Sequence, residues 1–134
     1  MVRDRHNSRR GFTLIELMVV ISILLILVSI AAPIYKRSIT GSKEAVLKDD
    51  LFTLRSLISQ YTLDKQRAPQ SLDDLVSAGY LKSIPKDPFT GTNDSWQVEQ
   101  EDTLLSVDQQ EPGIVNVHSG ATQAGLDGTP YNTW

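Results

Sequence analysis

Glu16 is a carboxylate in a place where carboxylates are costly. It follows a basic start (Arg3, Arg5, Arg9, Arg10), a small Gly11 and an aromatic Phe12, and it precedes residues 17–32, which carry no formal charge and only Ser22 and Ser29 as polar interruptions. An acid about one turn inside a segment built for lipid costs about 2.5–3.5 kcal/mol or more when alone, so it is either paired or functional. A plainer role is that of a helix N-terminal acid at the lipid interface, favoured by the macrodipole. The rest of the chain is poor in reactive chemistry. There is no cysteine, hence no disulfide, thiolate or cysteine-based metal site. His6 lies among the first residues, which leaves His118 on a strand face, where a lone histidine is a surface residue before it is a catalyst. Asp73 and Asp74 are adjacent on a helix start and do not face one another as an acid/base couple would. No glycine-rich phosphate loop and no metal-ligand spacing is present. The chemistry points away from an enzyme.

The element that positions Glu16 is a helix running from residue 12 to about 66. Its first half is apolar nearly all round, as lipid-facing or filament-core helices are. Pro33 falls inside it and is expected to kink it by removing a backbone bond, and Gly41-Ser42 is a second weak point. Residues 45–65 are amphipathic, with Leu47, Leu51, Leu54, Ile58 and Tyr61 at alternating spacings of four and three, and Lys48, Asp49, Arg55 and Ser56 opposite. At about 1.5 Å per residue the helix would be roughly 80 Å long, more than a small domain can bury. Lys65 to Pro69 end it. Ser71 and Asp74 fit a capping box for a short helix over 72–78, stopped by Gly79. A proline-rich linker over 80–89 follows, and then strand candidates at 96–100, 103–108 and 113–118. Trp96 and Val98 alternate with Gln97 and Glu99, and Val115 and Val117 with Asn116 and His118. The expected fold class is α+β: a long N-terminal helix packed through its second half on a small antiparallel sheet of about three strands.

Two ordinary explanations of the N-terminus fall short. A secretory signal has an apolar region of roughly 7–15 residues and a small-residue cleavage site after it. Ser29-Ile30-Ala31 before Ala32 imitates such a site, but the acid at the entrance does not belong. A plain membrane anchor explains the apolar length, close to the roughly 20 residues a span needs, but neither Glu16 nor the Gly-Phe junction. Gly11, Phe12, Thr13, Leu14 and Glu16 together resemble the class III signal of type IV pilins and pseudopilins, which has glycine before the cut, phenylalanine after it and glutamate fifth in the mature chain. Further along, Ile84-Pro85-Lys86-Asp87-Pro88, Gly91 and Trp96 resemble the linker of the major pseudopilins of type II secretion. Pro85 and Pro88 fix a rigid loop, and Asp87 is placed to bond backbone amides in the turn.

The resemblance implies a division into a leader (1–11), a transmembrane and filament-core helix (12–34) and a soluble domain (35–134). It implies cleavage between Gly11 and Phe12 by prepilin peptidase, methylation of the Phe12 amine, and pairing of Glu16 with the Phe12 amine of a neighbouring subunit. Leu14, Leu17 and Pro33 would then shape helix packing in a helical homopolymer. Further implied partners are an inner-membrane assembly platform, minor pseudopilins and membrane lipid, with a separate cytoplasmic ATPase driving assembly. The alternatives in other classes are a type IV pilus subunit for adhesion, motility or DNA uptake, and a membrane-anchored periplasmic binding module presenting Trp96, Tyr131 and Trp134.

Charge bears on topology. The leader arginines keep the N-terminus cytoplasmic and place the C-terminal domain in the periplasm. Cleavage would remove four of 13 basic and one of 16 acidic residues, leaving 9 against 15 and a net charge of −6 with histidine neutral. Such a chain is not a nucleic-acid binder, since phosphate binding needs clustered lysine and arginine. The major pseudopilins end in an Asp- and Gly-rich calcium loop near a tryptophan. Ser119-Gly120-Ala121 and Trp134 resemble its two ends, but only Asp127 supplies a carboxylate, and calcium wants six to eight oxygens, several charged. The expectation is no cofactor, with Asp127 a weak calcium candidate and Trp134, Tyr131 and Pro130 packing the loop on the sheet.

Overall fold

The computed structural model describes residues 11–101 and 112–134. The strand candidate at 103–108 lies outside the described residues. The chain divides into two compact units between Arg37 and Ser38, and helix α1, Leu14–Lys65, contributes to both. It is followed by α2, Leu72–Ser77, then strands β1, Gln97–Gln100, and β2, Ile114–His118, and a single 3-10 turn at Tyr131–Thr133.

In the N-terminal unit α1 is apolar and exposed on every side: Leu14, Leu17, Leu24, Leu25 and Ile34 all show more than half of their surface. The helix continues through Pro33, where the ring removes the bond that would reach Ser29 O. The Ser22 and Ser29 hydroxyls do not stand unpaired in this apolar run. Each donates to a carbonyl one turn back, Met18 O at 2.8 Å and Ile26 O at 2.7 Å.

In the C-terminal unit the stripe at alternating spacings of four and three is the core. Leu47, Leu51, Leu54, Ile58 and Tyr61 are buried together with Leu72 and Leu75 of α2, Trp96, Ile114, Val117, Ala121 and Tyr131. Full burial of each leucine or isoleucine contributes about 1.5–3 kcal/mol. The helix runs unbroken through Gly41 and Ser42. Its end falls at Lys65, and Gln66 adopts a left-handed conformation (φ 55°) at the position usually given to glycine. The start of α2 is closed by Asp74, whose Oδ2 accepts from the N–H groups of Gln70 at 2.8 Å and Ser71 at 3.1 Å. Its end is turned by Gly79 at φ 82°.

Strands β1 and β2 pair antiparallel, with Gln97 opposite His118 and Val98 opposite Val117. Among the described residues the sheet has two strands, with the third expected strand outside them. The predicted alternation needs correcting. Glu99 faces Asn116 but Gln100 faces Ile114, so Val115 is an extra residue in β2. Such a bulge shifts the side-chain phase. Ile114 and Val117 therefore share the buried face, while Val115 is turned out. Strand β1 is exposed along its length, and its anchor is Trp96, just before it: the ring is buried and Nε1 donates to Pro85 O at 2.8 Å.

Candidate functional site

The N-terminal site is built on the first turn of α1. Thr13 caps it: its hydroxyl accepts the Glu16 N–H at 3.2 Å, and its carbonyl accepts the Leu17 N–H at 3.1 Å. Thr13-x-x-Glu16 thus has the spacing of a capping box. The cap was not among the expectations from sequence, although the threonine three residues before the glutamate signals it. The cap fixes where the helix begins and so places Glu16 in its first turn, with Gly11 and Phe12 just outside. Phe12 is exposed, as are Leu14, Glu16, Leu17 and Pro33. Among the described residues no cation lies within ion-pair distance of the Glu16 carboxylate. The motif is therefore an exposed acid at the capped start of an exposed apolar helix. Among the described residues α1 is the one helix long and apolar enough to cross a membrane, and none of its apolar stretch is buried within the chain.

The linker residues lie in the other unit and serve its interior. Asp87 is fully buried. Its Oδ1 accepts from the Phe89 N–H at 2.8 Å and the Thr90 N–H at 3.4 Å, and its Oδ2 accepts from the Ser119 hydroxyl. Ser119 Oγ in turn accepts the Ala121 N–H at 3.0 Å. One carboxylate thus joins the linker to the chain leaving β2. Pro85 and Pro88 flank it, half-buried. Where that chain passes the linker, Gly120 is required: a Cβ there would stand 2.1 Å from Ser95 O.

Two residues assigned to outer faces turn out to be internal ties. Arg55, placed opposite the stripe, is half-buried; Nε and Nη2 donate to Val117 O at 3.2 and 2.9 Å, and Nη2 also donates to Trp134 O. His118 is half-buried, with Nδ1 2.6 Å from Trp134 O and so the donor. Of the three aromatics offered as exposed recognition groups, Trp96 and Tyr131 are buried and Trp134 is half-buried. Tyr131 stacks on Phe89 with centroids 3.8 Å apart and meets Trp134 edge-on at 5.0 Å.

In the C-terminal loop the Asp127 carboxylate is engaged by Thr129. Asp127 Oδ1 accepts from the Thr129 N–H at 2.9 Å and the Thr129 hydroxyl at 2.7 Å. The hydroxyl, then the amide, hold the Asp127 carboxyl below the usual aspartate range. The other carboxylate at the loop is Glu44, which the sequence analysis missed. It sits three residues before Leu47 and extends the buried stripe by one position, so a charged residue in phase with the stripe was the available signal. Among the described residues no three acidic or histidine side chains are grouped to hold a metal.

An exposed apolar helix with a capped Gly-Phe-Thr-x-x-Glu start, followed by a small helix-on-sheet unit, defines a pilin-like protein. Residues 6–32 match the prokaryotic N-terminal methylation motif. The chain is 34% identical over 107 residues to the type II secretion system core protein G of Klebsiella michiganensis, covering 65% of this chain and 72% of that protein. It is 37% identical over 103 residues to the protein of the same name from Klebsiella pneumoniae (62% and 71%), and 34% over 103 residues to that of Escherichia coli K12 (62% and 68%). No solved structure matches. The chain belongs to the family of type II secretion system core protein G.

Proposed function

We propose that the protein is a structural subunit of a pseudopilus, a helical filament whose growth drives type II protein secretion. The observation that carries this reading is the mismatch at the N-terminus. An apolar stretch of α1 long enough to span a membrane is not buried within the chain, and the Glu16 carboxylate at its capped start has no ion-pair partner among the described residues. Lipid covers the apolar surface before assembly, and other copies meet both needs after it. Contacts that repeat from copy to copy without closing generate a helical fibre.

In this reading residues 1–11 are a leader removed by prepilin peptidase between Gly11 and Phe12, and Phe12 is then N-methylated. The new amine lies one turn from Glu16 of its own chain and pairs with Glu16 of a neighbour, offsetting desolvation and setting register as a buried polar residue does in a coiled coil. Leu14 and Leu17 pack the helices and Pro33 gives the helix room to adjust. Pro85, Asp87 and Pro88 hold the outward-facing unit rigid. The chain is a substrate of processing enzymes, not an enzyme. It enters the inner membrane once with its N-terminus cytoplasmic and its 35–134 domain periplasmic, and meets the assembly platform and minor pseudopilins there. The test is deletion of the gene in its own host. Retention of exported proteins in the periplasm, with surface pili and surface motility intact, is the expected result. Loss of pili with secretion intact would instead assign the chain to a type IV pilus.

A further inference from the structure

Hydrogen bonds among its own groups and to α1 close the C-terminal loop. Its backbone folds back at Gly125–Thr129, where the Gly125 N–H donates to Thr129 O at 2.8 Å and the Gly128 N–H to Gly125 O at 3.0 Å. Tyr131 N–H donates to Gln123 O at 3.0 Å. Thr129 then works in two directions: its hydroxyl donates to Asp127 Oδ1 and accepts Trp134 Nε1–H at 2.6 Å. These bonds shape the loop, and Glu44 attaches it to α1. Glu44 is buried, and its Oε1 accepts the Leu126 N–H at 2.7 Å and the Tyr131 hydroxyl at 2.9 Å. The fit is close. A Cβ on Gly125 would stand 3.0 Å from Glu44 Oε1 and 2.9 Å from Trp134 Cζ2. Lys48, one turn along α1, lies 4.7 Å over the Trp134 ring. Burial and the Glu44 contact push the Tyr131 hydroxyl up to about 12, so it stays a donor at any physiological pH.

We propose that Glu44 does for this loop what a bound calcium ion would otherwise do, so that the loop closes without a divalent cation. The two carboxylates present each commit an oxygen to two internal donors. A cation drawing on Glu44 Oε1 would leave the Leu126 N–H and the buried Tyr131 hydroxyl unpaired, which is costly. A hard cation wants six to eight oxygens, several of them charged, and the charged oxygens Glu44 Oε1 and Asp127 Oδ1 are already engaged by internal donors. The position of Glu44 in the stripe ties loop closure to the folding of the helix itself, so closure is set when the core forms rather than when metal arrives.

The test uses the full chain, unpolymerised in detergent, and so stands or falls separately from the filament reading. Thermal melting and protease cleavage within residues 122–130 are compared in excess calcium and in chelator. The expected result is no difference in either readout. A cation held at a hundred times its Kd would shift the folding equilibrium about a hundredfold, and a shift of that kind overturns the proposal. Glu44→Ala is expected to speed cleavage of the loop about tenfold, the equivalent of about 1.4 kcal/mol, with no rescue by calcium. Glu44→Gln, which keeps an acceptor oxygen without charge, is expected to fall between it and the wild type. An unchanged loop in Glu44→Ala, or protection restored by calcium in either variant, overturns it. Should Glu44→Ala fail to fold, the wild-type chelator comparison and Glu44→Gln decide the matter.

Discussion

Glu16 and Glu44 stand on the same helix and meet opposite surroundings. Glu16 is exposed at the capped start of an apolar stretch and has no cation beside it among the described residues. Glu44 is buried at the start of the core stripe with two donors on one oxygen. The leucines repeat the contrast: Leu24 is 54% exposed, whereas Leu47 and Leu54 are at 0%. The second half of α1 buries its apolar stripe within the chain, and Glu44 and Arg55 find partners there. The first half satisfies its serines and its terminal amides locally, and leaves its apolar surface and its carboxylate to something outside. That difference is what separates a folding element from an assembly element, and it is visible without any partner present.

The sharpest way to test the division is to make the same truncation in both halves. Leu54→Ala is expected to cost the C-terminal unit about 2–5 kcal/mol, the range for emptying a buried leucine site. Leu24→Ala is expected to change the melting of that unit by less than about 0.5 kcal/mol, as surface changes do. Chemical denaturation of the full chain in detergent reads both; equal costs would erase the distinction. Next in size is Asp87→Ala, which leaves the Phe89 N–H and the Ser119 hydroxyl without their acceptor and is expected to cost about 1–3 kcal/mol. The same denaturation curve measures it, and filament yield should fall only as far as stability does.

Glu16→Ala is expected to behave in the reverse way. Thr13 still caps the helix, so insertion, processing and the melting of the C-terminal unit stay as in the wild type. The yield of sheared filaments is expected to drop about tenfold or more, a coupling of at least about 1.4 kcal/mol. Wild-type yield from this variant would remove Glu16 from assembly. The smallest effect sharpens the folding side. Burial first, then Asp49 and Asp87, push the Asp50 carboxyl above the ordinary aspartate value of 3.8. A raised acid is disfavoured in its charged form, so its ionisation lowers stability as pH rises from about 3.8 through the raised value. Asp50→Asn should therefore stabilise the protein at neutral pH, by less than about 1 kcal/mol because the group is only partly buried. The gain should vanish below pH of about 3.8; a pH series of melting curves checks both sign and window.

How much of this was legible in the sequence follows the same division. Helical spacing identified Leu47, Leu51, Leu54, Ile58 and Tyr61, because a long amphipathic helix repeats its signal many times over. The N-terminal motif, matched over residues 6–32, was legible because a charge beside a long apolar run is rare. The sheet was read less well: one extra residue, Val115, reverses the side-chain phase of β2, and a bulge of one residue leaves no mark in composition. The long-range ties were the least legible. Arg55 to Val117 and Trp134, Asp87 to Ser119, and Glu44 to Leu126 and Tyr131 join residues 32 to 87 positions apart. Only the fold brings such pairs together. Even so, Glu44 gave a hint, since it falls in phase with the stripe where an apolar residue would be expected.

The most direct test of the central claim, that Glu16 finds its partner on another copy of the chain, is electron cryo-microscopy of sheared filaments combined with mass spectrometry of the subunit N-terminus. Filaments of chains that begin at a methylated Phe12, with each Glu16 carboxylate against the Phe12 amine of a neighbour, are expected. A membrane protein that keeps Met1 or begins near Ala32, and forms no filament, would contradict the claim.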